Sequence, residues 1–263
     1  MDLGLKDKAV LVTGGNRGIG LAIALAFAGE SAHVAICGRD RTALDAACDA
    51  IANNGVRARS IAADLFTAEG CKQAVAGAVD FFGGLDVLVN NASTNVSGTL
   101  ETDSDDTLME RVMGKTLASM RCSRAALPHL RASGQGRIIC IGGTSARTPD
   151  KNSLPSGLAN SSLVNFAKHF SLHAAPDGIT VNVVHPSFTR TERQTERLAA
   201  RASDRGISLE AAADSMAAGV PIGRVIEPGD IAPLVVFLAS VQASAMTGQA
   251  IAVDGGATQS VVY

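Results

Sequence analysis

Tryptophan is absent from this chain, and aromatic residues make up only 3% of its 263 residues. So few rings argue against a surface that stacks nucleobases. The formal net charge of −2 adds no electrostatic footprint for nucleic acid or for an anionic membrane surface. Cysteine is scarce and scattered (Cys37, Cys48, Cys71, Cys122 and Cys140) with no C-x-x-C pair, so no disulfide framework or zinc site is suggested. Long apolar runs are missing as well: stretches such as 9–12 are far too short to span a bilayer. The opening residues 1–8 carry no charged-then-apolar signal pattern, and a cytoplasmic address is the expectation. Tyrosine occurs once, at Tyr263, which leaves the body of the chain without a phenol.

What is present is an apolar share of 46%, dealt out in short β-branched runs that alternate with longer Ala-rich stretches. The runs 8–13, 33–37, 57–62, 86–90, 137–141, 179–184 and 249–253 read as strands; 18–28, 41–52 and 68–82 have helical spacing. Strands that are apolar throughout belong in a parallel sheet covered on both faces. Right-handed crossovers then give an α/β, doubly wound, Rossmann-type fold, expected as a single domain over 1–263. The segment 189–219 departs from this rhythm, being rich in Arg, Glu and Ala. It reads as a helical lid over a pocket at the sheet edge, or as a solvated helical excursion.

Thr13-Gly14-Gly15-Asn16-Arg17-Gly18-Ile19-Gly20 follows the first strand and opens the first helix. Glycines let the backbone approach a pyrophosphate, and the helix N-terminus offers N–H groups and positive dipole to its oxygens. This marks Gly14, Asn16, Arg17, Gly18, Ile19 and Gly20 as cofactor-binding. At the tip of the second strand, where an acidic residue would hold a ribose 2′-hydroxyl, stands Gly38, followed by Arg39. With Arg17 as a second cation, NADP(H) is favoured over NAD(H).

Together with Asp64-Leu65, Asn90-Asn91-Ala92, Pro186 with Thr191, Ile222-Gly223-Arg224, the run Glu227-Pro228-Gly229-Asp230-Ile231-Ala232 and Val253-Asp254-Gly255-Gly256, this motif resembles the short-chain dehydrogenase/reductase family, in order over about residues 5–256. The resemblance implies Asp64 and Leu65 near the adenine, Asn91 and Ala92 beside its ribose, and Pro186 with Thr191 close to the nicotinamide. It also implies a small-molecule substrate and a homotetramer or homodimer, mainly through helices near 115 and 160 and through 228–240.

The same resemblance exposes a departure. Family members carry a tyrosine that exchanges a proton with the substrate oxygen, a lysine four residues later, a serine on the preceding strand and an asparagine on an earlier helix. Here those slots hold Ser156, Asn160, Gly143 and Lys115. Lysine and asparagine have traded places between 115 and 160. A partly buried Lys115 with lowered pKa is a candidate acid or base; the alternative is a lysine reaching solvent or a subunit interface. Thr144 and Ser145 are candidate binders of a substrate oxygen or plain loop residues. His185 is the best-placed imidazole, with a structural role favoured. His169 and His173 share a helix face without a third metal ligand, and no metal is expected. Asp150 and Lys151 face the pocket or form a solvated turn. Three functions stand open: an NADP(H)-dependent oxidoreductase with an atypical acid, first in rank; a lyase, isomerase or dehalogenase-like enzyme reusing the pocket; and an inactive NADP(H)-binding protein.

Overall fold

The computed structural model describes residues 1–93, 98–149, 151 and 153–259. Among them, seven strands form one sheet: β1 (Ala9–Thr13), β2 (His33–Gly38), β3 (Ala58–Ala62), β4 (Val87–Asn90), β5 (Arg137–Ile141), β6 (Thr180–Pro186) and β7 (Ala250–Val253). Their order is β3-β2-β1-β4-β5-β6-β7, and every pairing is parallel. The helices are α1 (Gly18–Gly29), α2 (Arg41–Ala52), α3 (Ala68–Phe82), α4 (Asp105–Ser133), α5 (Leu154–Ala174), α6 (Glu192–Asp204), α7 (Leu209–Ala218) and α8 (Pro228–Ala239).

Period-two alternation sends neighbouring side chains of a strand to opposite layers. On β1, Val10 and Val12 enter the core shared with α1, α2 and α8, and Leu11 enters the core shared with α3, α4 and α5. Both layers are therefore filled from one strand, and the doubly wound fold follows. No helix among the described residues is long and apolar enough to cross a membrane.

Strand ends differ from the sequence pattern by a residue or two. Lys8, Arg57, Asp86, Ile179 and Gln249 fall just outside their strands, and Gly38, His185 and Pro186 fall inside. The neighbour decides: Gly38 is carried into β2 by pairing with Ala62, and His185 and Pro186 into β6 by pairing with Ala252 and Val253. Asp86 instead spends its carboxylate on the N–H of Ala9, 2.9 Å away, and on Lys8 at 3.2 Å. Strand order reverses between β1 and β4, and the crevice beyond their C-terminal ends is where such sheets take ligands.

Candidate active site

A cleft of about 750 Å³ opens at that crevice. Its first wall is the glycine loop between β1 and α1. Arg17 precedes α1 in extended conformation with no side-chain cap, and the first turn holds no acidic residue. The helix thus presents uncapped N–H groups to the cleft. Gly20 is needed for close approach: a Cβ there would lie 2.2 Å from the Gly14 carbonyl oxygen. Asn91, just past β4, ties the loop down by donating from Nδ2 to the carbonyls of Thr13 (2.9 Å) and Gly14 (3.0 Å). Thr13 returns the tie, its Oγ1 accepting from the N–H groups of Asn91 and Ala92. A cradle so shaped fits the pyrophosphate of a dinucleotide.

The second wall follows β2 and β3. Arg39 is exposed at the tip of β2, 5.7 Å from the centroid of Phe66. The neighbouring Asp40 is engaged elsewhere, its carboxylate accepting from Ala43 N–H to cap α2. Asp64 accepts from Phe66 N–H, and Leu65 lies buried beside it. An exposed arginine at the strand tip, with the carboxylates of Asp40 and Asp64 accepting backbone N–H groups, suits a 2′-phosphate better than a 2′-hydroxyl.

The third wall holds the polar cluster. Lys115 projects from α4 and is 7% exposed. Its ammonium donates to Asn160 Oδ1 at 2.8 Å and to the Gly142 carbonyl at 3.1 Å. Asn160 on α5 donates in turn to Ser145 Oγ (2.8 Å) and Ser156 Oγ (3.4 Å), and the two serine oxygens stand 3.0 Å apart. Burial pushes the Lys115 ammonium down to about 8, and the Arg193 guanidinium pushes the same way against an opposing Cys140. Gly143 makes room for this arrangement, since a Cβ there would lie 2.8 Å from Asn160 Nδ2.

His185 stays out of the cleft lining. Its Nδ1 accepts from Gly143 N–H at 2.9 Å, bracing the turn after β5. Burial, then the charges of Arg147 and Lys115, lower its pKa to about 4, so the ring is neutral and structural.

All the residues singled out for the cofactor line this one cleft, from Gly14, Asn16, Arg17, Gly18, Ile19 and Gly20 through Arg39, Asp64, Leu65, Asn91 and Ala92 to Pro186 and Thr191. So do Lys115, Gly143, Thr144, Ser156 and Asn160. Lys151 does not; it is exposed and outside the lining. His173 stacks on Phe170, their centroids 6.0 Å apart. Asp150 and Tyr263 lie outside the described residues. Sequence reasoning passed over two lining residues of α6, Arg193 and Arg197, whose i, i+4 spacing was the available signal. Ser145, a candidate binder of a substrate oxygen or a plain loop residue by sequence, links Asn160 to Ser156.

Fold and cleft define the class: a doubly wound α/β protein with a dinucleotide cradle at the switch point and a buried polar cluster facing it. A family model described as enoyl-(acyl carrier protein) reductase matches residues 14–258. The chain belongs to the short-chain dehydrogenase/reductase family. It is 35% identical over 254 residues to the short-chain reductase protein NovJ of Streptomyces niveus, covering 95% of this chain and 94% of that protein. The NADPH-dependent reductase BacG of Bacillus subtilis is 30% identical over 262 residues, covering 98% and 100%. Among solved structures, L-sorbose reductase from Gluconobacter frateurii, complexed with NADPH and L-sorbose, superposes with a TM-score of 0.94 at 32% identity, covering 99% and 100%.

Proposed function

We propose that this protein is an NADP(H)-dependent oxidoreductase acting on a carbonyl or hydroxyl of a small molecule, with an atypical proton donor in place of the family's tyrosine. The observation that carries the reading is the hydrogen-bonded cluster of Lys115, Asn160, Ser145 and Ser156 on the wall of the same cleft as the glycine cradle. NovJ and BacG, reductases by name, and the NADPH-bound sorbose reductase support the cofactor and the reaction type.

When bound, NADPH supplies the hydride. Uncapped N–H groups of α1 hold the pyrophosphate, and Arg39 with Arg17 holds the 2′-phosphate. The chain's remaining task is to protonate the alkoxide that reduction leaves. Lys115 has two of its three ammonium hydrogens directed to Gly142 and Asn160, so one remains for the cleft. An amide does not pass protons readily; Asn160 therefore orients rather than relays. It fixes the lysine through Oδ1 and the serine hydroxyls through Nδ2, and Ser145 can donate to Ser156, freeing the Ser156 hydroxyl to bind the substrate oxygen.

The same reading pairs copies of the chain into a homodimer or homotetramer through α4 and α5, whose Met109, Leu158 and Leu172 are exposed. The test of function is a carbonyl panel followed at the reduced-nicotinamide absorbance, with NADPH affinity measured separately by calorimetry. Tight NADPH binding with substrate-dependent oxidation is the expected result. Binding without oxidation across the panel identifies an NADP(H)-binding protein without redox activity, and turnover without oxidation identifies a non-redox enzyme.

A further inference from the structure

Two cysteines meet where α3 packs on α4. Cys71, in the first turn of α3, and Cys122, midway along α4, are buried in the same apolar layer. The Cys122 thiol donates a hydrogen bond to the Cys71 sulfur. Cys71 Sγ in turn donates to the Leu65 carbonyl at 3.2 Å and lies 3.9 Å from the Ala118 carbonyl, one turn before Cys122 on α4.

The two thiols are not equivalent. Among the cysteines, Cys71 alone is held below the ordinary thiol range: the hydrogen bond from Cys122 is the chief cause and the Arg121 guanidinium adds to it, against burial and Asp64. Its place in the first turn of a helix also favours the thiolate. That same hydrogen bond, together with burial, pushes Cys122 up. Burial raises Cys37 and Cys140 to about 12 and raises Cys48 as well. One thiol is thus disposed to ionise, and a protonated one rests against it.

Their position ties them to the adenine wall. Leu65 and Ala118, whose carbonyls face Cys71, line the cleft, as do Asp64 and Phe66. Both helices support this loop. Thr67, the cap of α3, donates from Oγ1 to the Asp64 carbonyl at 2.9 Å, and Arg121 of α4 donates to the Phe66 carbonyl at 2.8 Å. A bond that draws Cys71 onto Cys122 shifts both supports and removes the thiol hydrogen that Leu65 accepts.

We infer that Cys71 and Cys122 are a modification site, a reversible disulfide whose formation by a hydroperoxide weakens NADP(H) binding. The Cys71 thiolate attacks one oxygen of hydrogen peroxide; the S–O bond forms as the O–O bond breaks, and the departing hydroxide is protonated to water. Cys122 then gives up its proton and attacks Cys71 Sγ, so that the S–S bond forms, the S–O bond breaks and a second water leaves. The thiols lose two electrons and two protons, the peroxide is reduced to water, and an added dithiol reverses the bond by exchange. Sulfur atoms already within hydrogen-bond reach need only a small closing movement. The oxidant approaches Cys71 from the adenine side of the cleft, so bound coenzyme slows the reaction. Only coenzyme binding is involved, whatever group protonates the substrate.

The experiment treats the reduced protein with hydrogen peroxide, blocks free thiols with N-ethylmaleimide in denaturant and maps the peptides by mass spectrometry without reductant. A Cys71–Cys122 cross-link is expected, removable by dithiothreitol, with Cys37, Cys48 and Cys140 alkylated. Calorimetry should find NADPH bound about tenfold more weakly by the oxidised protein, with the affinity restored on reduction. Saturating NADPH should slow the cross-linking. Cys122→Ala should halt at a sulfenic acid on Cys71, captured by dimedone, and Cys71→Ala should keep its NADPH affinity after peroxide. The mapping on wild-type protein stands even where a core variant fails to fold. Thiols that all stay free, a bond at another pair, or a cross-linked protein with unchanged NADPH affinity overturns the inference. A cross-link with weakened NADPH binding upholds it even if no carbonyl is reduced, so its failure and that of the oxidoreductase reading are distinguishable.

Discussion

On the function proposed above, Lys115 is the residue on which chemistry turns. A buried ammonium with a pKa near 8 is mostly protonated at neutral pH and gives up its proton more easily than an exposed lysine. Reduction needs the acid form, so kcat/KM should be flat at neutral pH and fall as pH rises through about 8. Lys115→Met should lower kcat by roughly 10²–10⁴-fold, the usual contribution of a general acid. A cavity effect is separated by Lys115→Arg, which keeps the charge but cannot release a proton in this range. That variant should be equally slow while losing the alkaline limb. Arg193→Gln should move the limb upward, because the guanidinium depresses the lysine's pKa. Unchanged activity in Lys115→Met, or an alkaline limb retained in Lys115→Arg, removes the lysine from its assigned role.

The β1–α1 element shows why part of this was readable in advance. Its apolar run, glycine turn and helix follow one another in sequence, and local patterning reports them directly; Arg137–Ile141 of β5 was legible for the same reason. The tie that steadies the turn is not local. Asn91 lies 77 residues from Gly14, and its amide fills two carbonyls that the turn leaves open. Asn91→Ala should therefore cost about 1–3 kcal/mol in denaturant unfolding and weaken NADPH binding together. An unaltered midpoint would falsify this account of the loop. The polar cluster was half legible. Lys115 and Asn160 were both marked by the family resemblance and meet at 2.8 Å, but Ser145 joins them only because the turn at Thr144–Ala146 aims it at Asn160. Helix α6 was legible as a helical stretch within the Arg-, Glu- and Ala-rich segment, but spacing alone does not tell which of its arginines meet the cleft. Arg193 and Arg197 emerge only from its packing.

Across the whole molecule, the two cores meet the cleft at the end of β6, where His185 braces the turn carrying Gly143. The ring is 1% exposed and accepts a backbone N–H at Nδ1, so protonation would both bury a charge and break that bond. Its folded pKa is about 4 against an ordinary value of 6.5, with burial the main cause. In this window the unfolded chain binds the proton and the folded chain does not. The neutral ring's contribution is thus fully present above pH 6.5 and is lost as pH falls toward 4, amounting to about 3 kcal/mol at most. Carboxylates titrate in the same range, so the measurement is a difference. Urea unfolding from pH 7 to pH 4 should fall more steeply for the wild-type protein than for His185→Asn, whose Oδ1 can accept the Gly143 N–H without titrating. Because that turn also holds the Gly142 carbonyl bonded to Lys115, acid should loosen the wall that carries the polar cluster before it unfolds the sheet. Identical pH profiles for the two proteins would confine His185 to a role in packing alone.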